Sequence, residues 1–242
     1  MIGKRILKFC IWHLVFFLCV LTPLLAFARV EDTKHNLSIS GTGVVKALHE
    51  TQICIFCHTP HNASPAKPLW NHELSGIVHY VNYTSPTLQS YREGEAPPID
   101  GYSKLCLSCH DGTVAIGSVV SREEEIMMVT VSEVIYAGKL IGGPGYLGTD
   151  LSGGHPISII FDEALANKRN AVPSLSRLKW PIIDPDVKLS PTQGGYGVQC
   201  TACHDPHENK AAGGWPPFWN KPTHDEVCMV CHEEIPPGDI EW

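Results

Sequence analysis

The sequence has no cysteine to spare for disulfide bonds, and it has few methionines. Eight of its ten cysteines form four C-x-x-C pairs, and the other two, Cys10 and Cys19, lie in an apolar N-terminal run. Beyond that run no free thiol remains, which excludes the disulfide framework that stabilises many small secreted domains. Three methionines follow residue 28, so methionine is a poor candidate for binding several metal ions.

Basic residues are also few, and three of them lie in the N-terminal run. That run opens with MIGKRILK, continues through FCIWHLVFFLCVL and ends with Ala-Phe-Ala at 26–28, which is typical of a signal peptide and its cleavage site. A retained membrane anchor is the alternative, because the apolar stretch approaches the length of a membrane span. We expect residues 1–28 to be cleaved on export, with no stable membrane insertion afterwards.

The mature chain from Arg29 is acidic. Removal of residues 1–28 leaves 15 basic against 25 acidic side chains, a formal charge of −10. An acidic surface repels the phosphates of DNA and RNA, so nucleic acid is not expected as a partner.

Each C-x-x-C pair is followed directly by a histidine. The four segments are CIFCH at 54–58, CLSCH at 106–110, CTACH at 200–204 and CMVCH at 228–232. This spacing is typical of covalent c-type haem attachment, in which both cysteines form thioethers and the histidine binds the iron. Zinc sites and thiol-disulfide pairs do not need that histidine, so its fourfold repetition favours haem. The predicted thioether residues are Cys54, Cys57, Cys106, Cys109, Cys200, Cys203, Cys228 and Cys231, and the predicted proximal iron ligands are His58, His110, His204 and His232.

The motifs form an internal repeat. The order C-x-x-C-H-x-P-H, then an apolar residue with Trp-Asn, then a second C-x-x-C-H occurs once in each half, with LWN at 69–71 and FWN at 218–220. We therefore expect residues 29–242 to form a single tetrahaem domain. That domain would contain two haem-pair units, at about 35–120 and about 195–242.

Proline and glycine argue against long helices. The chain has 19 prolines and 21 glycines, spread along its length. We expect a mostly irregular, haem-wrapped multihaem cytochrome c fold with short helices around the motifs and a few short strands, in which the haems form the core. The predicted strands are the β-branched segments IMMVTVSEVI at 126–135 and PISIIF at 156–161.

Further histidines follow the signal peptide and are candidates for the distal side of the irons. They are His35, His49, His61, His72, His79, His155, His207 and His224. Because methionine is scarce, we expect histidine at both axial positions of each iron. That ligation suits electron transfer rather than substrate binding.

Two of these histidines follow a motif histidine closely. His61 lies three residues beyond His58, on roughly the same side of a helical turn, so it cannot reach the opposite face of the same iron. The same geometry applies to His207 beside His204. We expect each to bind a different haem. His155 fits either a ligand or an exposed turn histidine, His224 is a reserve candidate, and His49, His72 and His79 are expected at the surface.

Five segments resemble one family. They are HNLSISGTG (35–43), CIFCHTPHNASPAKPLWN (54–71), LCLSCHDGTVAIG (105–117), LGTDLSGGHPISI (147–159) and CTACHDPH (200–207), and they are similar to the tetrahaem extracellular cytochrome filaments of the OmcE type. The resemblance implies that tetrahaem subunits polymerise head to tail into microbial nanowires with a continuous haem chain. It also implies that the distal ligands are His35, His61, His155 and His207. One of these would cross a subunit boundary, with His61 the first candidate and His35 the second.

The expected function is extracellular electron transfer by a filament-forming tetrahaem cytochrome that is not an enzyme. Its partners would be copies of itself, other multihaem cytochromes and extracellular acceptors, and it would lie outside the cell or on its surface. A discrete periplasmic tetrahaem shuttle is the first alternative. A multihaem oxidoreductase is the second and is disfavoured, because a catalytic iron needs an exchangeable axial position and the chain has spare histidines and no C-x-x-C-K motif.

Overall fold

The computed structural model describes residues 29–64, 69–92, 94–208 and 218–234. Most of these residues are irregular, which confirms the expectation of short helices and a few short strands. The 3-10 helices are Arg29–Asp32 and Cys54–Phe56, and the α-helices are α1 Gly101–His110, α2 Glu163–Asn170, α3 Cys200–Cys203 and α4 His224–Cys231. The strands are β1 Ile135–Tyr136, β2 Lys139–Leu140, β3 Ile159–Ile160, β4 Ser190–Thr192 and β5 Gly195–Val198. The predicted signal peptide lies outside the described residues.

The strands make two small antiparallel sheets. β1 and β2 form a hairpin that turns through Ala137 and Gly138, whose φ angles are 48° and 73°, as a two-residue turn between twisted strands requires. In the other sheet β5 lies between β3 and β4. The predicted strand at 156–161 is therefore confirmed in its centre by β3. The prediction for 126–135 was wrong except at its last residue. Ile126 and Met128 are buried in an apolar cluster while Met127 is 66% exposed, and before Ile135 the segment makes isolated bridges and no continuous ladder.

The buried apolar side chains of the described residues form three small clusters instead of one core. The first contains Phe56 of the first motif, the second joins β3, β5, α2 and α3, and the third surrounds Leu107 of the second motif. The partly buried cysteines Cys57, Cys203 and Cys231 pack at the edges of these clusters. Each of these three cysteines therefore lies beside an apolar cluster, where an attached haem would add to the buried apolar surface.

Residues 69–71 return to the first motif and pair with it at Cys57 and His58; we call them its return segment. His58 and Trp70 form an isolated antiparallel bridge, and the Asn71 N–H donates to the Cys57 carbonyl at 3.0 Å. Leu69, at the bend before the bridge, has a φ of 65°. The chain thus runs out from the motif, turns and comes back along it.

The third motif has the same return segment. His204 and Trp219 form an antiparallel bridge, and the Asn220 N–H donates to the Cys203 carbonyl at 2.9 Å. Phe218 has a φ of 60°, at the position that corresponds to the bend in the first unit. The sequence repeat is therefore also a repeat of backbone conformation and hydrogen bonding.

The fourth motif pairs in a similar way with a segment from elsewhere in the chain. His232 bridges Leu178, and the Lys179 N–H donates to the Cys231 carbonyl at 2.8 Å. Asn170, the last residue of α2, holds that segment because its side chain donates to the Leu178 carbonyl at 2.8 Å and accepts from the Leu178 N–H at 2.7 Å. The sequence repeat did not predict this pairing.

The asparagine of each Trp-Asn segment fixes the return segment from inside. Asn71 is 0% exposed and donates its side-chain N–H to the Ile55 carbonyl at 2.5 Å. Asn220 is 5% exposed and donates to the carbonyls of Thr201 and Ala202 at 3.1 and 3.0 Å. Both side chains therefore satisfy carbonyls of the short motif helix that lack a partner within the helix. The sequence repeat identified these asparagines as equivalent but did not predict that their side chains bind the carbonyls of the motif helix.

Replacing Asn220 with alanine should destabilise the haem-loaded protein by about 1–3 kcal/mol, because two buried carbonyls lose their donors. Urea unfolding followed by far-UV circular dichroism measures the change. The matched control is Asn167→Ala at an exposed position of α2, which should change the free energy of unfolding by less than about 0.5 kcal/mol. Equal effects of the two substitutions would contradict the role given to Asn220.

Candidate haem sites

The four motifs lie on short helical turns. The first occupies the 3-10 helix Cys54–Phe56, the second the last turns of α1, the third α3 and the fourth the last turn of α4. Residues three apart on a helical turn lie on the same face, so each pair of cysteines points to one side. Directly after α3 and α4 the backbone becomes extended, with ψ angles of 137° at His204 and 145° at His232.

Helix α1 ends differently because a glycine follows it. The helix continues through His110, and Gly112 has a φ of 73°, the left-handed conformation that ends many helices. A side chain at Gly112 would overlap the Leu140 carbonyl and the Tyr146 ring. The sharp end leaves His110 beside the following loop, where its Nδ1 lies 2.5 Å from the Gly145 carbonyl oxygen.

Three of the motif histidines each face one of the predicted distal histidines. The rings are paired as His58 with His207, His35 with His110, and His155 with His232, and their centres lie 6.1, 6.0 and 6.3 Å apart. An imidazole nitrogen binds a first-row metal ion at about 2 Å, so two rings on opposite sides of one ion have centres roughly 6 Å apart. All three separations match that spacing.

The ring planes of the three pairs differ. The planes of His58 and His207 are nearly parallel, at 15°. The planes in the other two pairs are close to perpendicular, at 75° for the pair with His35 and 85° for the pair with His155. Ring orientation therefore separates one pair from the other two.

Hydrogen bonds hold the Nδ1 side of four of these six histidines. Nδ1 faces an acceptor oxygen in each case, which is the carbonyl of Pro206 for His35, of Gly145 for His110 and of Pro156 for His155, and the carboxylate of Asp205 for His207. An Nδ1 that donates carries the proton, so the lone pair lies on Nε2. That tautomer is the one in which Nε2 binds a metal and Nδ1 is held by a neighbour.

Burial keeps several of the rings neutral. Burial, followed by the nearby His110, lowers the pKa of His35 to about 4. Burial, followed by the nearby His155, lowers the pKa of His232 to about 4. Burial also lowers the pKa of His58 and of His110. Neutral imidazole is the form that binds a metal ion, so these sites are suited to ligation at neutral pH.

The remaining two ligand candidates are placed differently. His61 is exposed, and its turn is fixed by Thr59, whose hydroxyl donates to the His61 carbonyl at 2.6 Å. The ring of His204 stacks on Trp219, with ring centres 4.6 Å apart. The structure thus brings His61 to the surface next to the first motif, while His204 lies against the return segment of the third.

His72 is buried, so the expectation that it lies at the surface was wrong. Its side chain is 0% exposed, and its two ring nitrogens lie 2.7 Å from the Glu73 carbonyl and 3.1 Å from the Ala115 carbonyl. The Nε2 atom is also 3.3 Å from Sγ of Cys109. The sequence feature that could have indicated this burial is the position of His72 directly after Trp70 and Asn71, of which Asn71 is fully buried. His49 and His79 are exposed, as expected.

The reserve candidate, His224, lies at the start of α4. Its Nδ1 is 3.1 Å from Oδ1 of Asp225, and its Nε2 is 3.4 Å from Sγ of Cys228. The helix begins there because Thr223 and Glu226 form a capping box. His224 therefore lies beside its own attachment cysteine and faces none of the paired rings described above.

The motif cysteines form no disulfides. Burial raises the pKa of Cys57, Cys109 and Cys203 to about 12. Cys106 and Cys200 are in side-chain contact, which is the main reason that the pKa of Cys106 is raised. The second and third motifs therefore meet at their cysteines, where α1 packs against α3.

Buried donors at these sites fit a group that carries carboxylates. The indole Nε1 atoms of Trp70 and Trp219 and Nδ1 of His232 are buried, with no hydrogen-bond partner in the protein. An unpaired buried donor costs about 1–3 kcal/mol, so such donors normally have a partner. Haem carries two propionate carboxylates that accept hydrogen bonds. The residues present at the first, third and fourth motifs therefore fit haem.

One comparison with protein families bears on the class of this chain. Residues 191–236, which contain the third and fourth motifs, match the family model described as a doubled CXXCH motif. The match supports a multihaem c-type cytochrome. C-x-x-C-H motifs indicate covalently bound haem c. No curated protein matches the chain.

Two further findings, on membrane-spanning helices and on metal-binding clusters, concern the described residues alone. Within them no helix combines the length and the apolar character that crossing a membrane requires. In that same part of the chain, no group of three or more histidine, cysteine, aspartate or glutamate side chains converges to hold a metal ion. Among the described residues, the predicted ligand histidines approach one another in pairs.

Replacing Gly112 with alanine should destabilise the cytochrome by more than about 1 kcal/mol, because the new side chain meets a backbone carbonyl and the residue has a positive φ. Thermal unfolding of the haem-loaded protein measures the change. Gly76→Ala is the control, since a Cβ atom there would have no atom within 4 Å. An unchanged unfolding temperature for Gly112→Ala would contradict the proposed helix end.

Proposed function

We propose that this protein is a tetrahaem c-type cytochrome with histidine on both sides of every iron, and that it conducts electrons outside the cell as a filament of identical subunits. The observation that carries the proposal is the spacing of the three histidine pairs, 6.0 to 6.3 Å between ring centres. In each pair a motif histidine faces a histidine from a distant part of the chain.

The pairs assign the ligands of three irons. His207 would bind the iron held by His58, His35 the iron held by His110, and His155 the iron held by His232. The eight motif cysteines would attach the four haems through thioethers. A bound haem supplies a one-electron couple at low potential, and two histidine ligands leave its iron no open position for a substrate. This arrangement favours electron transfer over catalysis.

Contacts between motifs support a continuous path. The Cys200 N–H donates to Oγ of Ser103 at 3.0 Å, which holds the third motif against the helix that carries the second. His207 faces His58 yet follows the third motif by three residues, so the first and third sites are neighbours. Because electron tunnelling weakens steeply with distance, neighbouring sites are what a conducting chain of haems needs.

Exposure of His61 supports assembly into a filament. His61 lies three residues beyond His58 and is exposed, whereas the other three predicted distal histidines each face a motif histidine of this chain. We assign His61 to an iron of a neighbouring copy, the one held by His204. Such a contact joins different surfaces of the two subunits and therefore propagates into an open filament unless it closes into a ring. Resemblance to the extracellular tetrahaem filaments agrees with this assignment.

The ligand assignment is tested by haem counting and electron paramagnetic resonance. A pyridine haemochrome assay should give four covalently bound haems per chain, all low-spin. Parallel and perpendicular imidazole planes split the iron orbitals differently, so the ferric protein should give one class of signal from the pair at 15° and a more anisotropic class from the pairs at 75° and 85°. Two or fewer haems with bound zinc, or high-spin iron that rapidly binds carbon monoxide, would refute it.

Assembly is tested by His61→Ala. The variant should keep four haems per chain, lose the filaments seen by negative-stain microscopy of sheared surface material, and contain one high-spin iron per monomer. His79→Ala, at another exposed histidine, should still form filaments. Filaments of the His61 variant with every iron low-spin would refute the assignment. A wild-type protein that stays monomeric at every concentration would favour the periplasmic shuttle instead.

A further inference from the structure

The predicted distal histidines of the three pairs differ in the oxygen atom that lies next to their Nδ1. Nδ1 of His35 and Nδ1 of His155 lie 3.1 and 2.9 Å from backbone carbonyl oxygens, which are neutral acceptors. Nδ1 of His207 lies 3.1 Å from Oδ1 of Asp205, which is a charged acceptor. The site of His58 and His207 therefore combines an axial imidazole with a carboxylate, and the other two paired sites have carbonyls at this position.

Asp205 is positioned to hold the ring of His207. The same oxygen, Oδ1, accepts the backbone N–H of His207 at 2.9 Å and faces its Nδ1 at 3.1 Å. One carboxylate thus fixes both the turn and the ring, and the ring turns its Nε2 away from the carboxylate. A single acceptor with two bonds to one residue leaves that imidazole little freedom to rotate.

The corresponding position of the first unit is different. Thr59 stands in CIFCHTPH where Asp205 stands in CTACHDPH. The Thr59 hydroxyl donates to the His61 carbonyl at 2.6 Å, so it stabilises the turn without a charge on the ring. The two units share a backbone conformation but differ in the charge next to their distal histidine.

We infer that Asp205 is a positioning residue that lowers the reduction potential of the haem held between His58 and His207. The inference rests on the proposed ligation by His207. A carboxylate that accepts from Nδ1 makes the imidazole a stronger electron donor through Nε2. A stronger donor stabilises ferric iron more than ferrous iron, and hydrogen bonding around the ligands is one of the ways in which a protein sets haem potentials. This site would accept an electron less readily than it would with a carbonyl acceptor.

The test replaces Asp205 with asparagine in the full haem-loaded protein. Asparagine keeps an acceptor for the His207 N–H but has no charge, so the turn remains and the electronic effect is lost. In a spectroelectrochemical titration one of the four potentials should move to a more positive value. A tenfold loss of the preference for ferric iron corresponds to a shift of about 59 mV. Asp205→Thr, which copies the first unit, should move the same potential in the same direction.

The control is Asp225→Asn. Asp225 lies 3.1 Å from Nδ1 of His224, the same kind of contact at a histidine outside the proposed ligand set. Its removal should leave all four potentials unchanged. A shift as large as that of the Asp205 variants would mean that any surface carboxylate has this effect, and would overturn the inference.

His207→Ala separates the inference from the ligation on which it rests. If His207 is a ligand, this variant should contain one high-spin iron and lose the signal of the nearly parallel pair. If all irons stay low-spin, the ligation and the inference both fail. If one iron becomes high-spin while Asp205→Asn and Asp205→Thr keep the wild-type potentials, the ligation stands and the role of Asp205 is overturned.

Discussion

The structure depends on three places where imidazole rings from distant parts of one chain approach each other, with ring centres 6.0 to 6.3 Å apart. His35 reaches His110, His58 reaches His207 and His155 reaches His232. These contacts span most of the described chain, so the loops between them must wrap around the sites. Few residues are then left for regular structure, which explains why the helices are at most ten residues long and the strands two to four.

Local and long-range features differ in how far the sequence predicts them. The motif turns are local, because C-x-x-C-H places its cysteines and histidine within about one helical turn. The repeat also indicated the matching return segments of Trp70 and Trp219, since the same residues produce the same bends. Which histidine meets which was not predictable from spacing, because the partner of His58 depends on how the whole chain wraps. The segment around Leu178 that pairs with the fourth motif has no Trp-Asn signature, so the sequence pattern did not predict it.

Two errors of sequence interpretation have the same physical cause. His72 was expected at the surface because an isolated histidine usually is, but carbonyl oxygens next to both ring nitrogens allow it to be buried. The segment 126–135 was expected to be a strand because it is β-branched and apolar, but those side chains fill a cluster without a neighbouring strand. In both places the tertiary environment supplied what the residue type alone does not reveal.

The division of the apolar interior into three clusters has a consequence for how the protein matures in the cell. Among the described residues the clusters contain eight, six and three buried side chains, and Cys57, Cys203 and Cys231 pack against the first two. A copy that lacks one haem would miss a share of its interior and open at that place, where proteases cut first. Degradation would therefore act first on incompletely loaded copies, so the fold itself links survival of the chain to complete haem attachment.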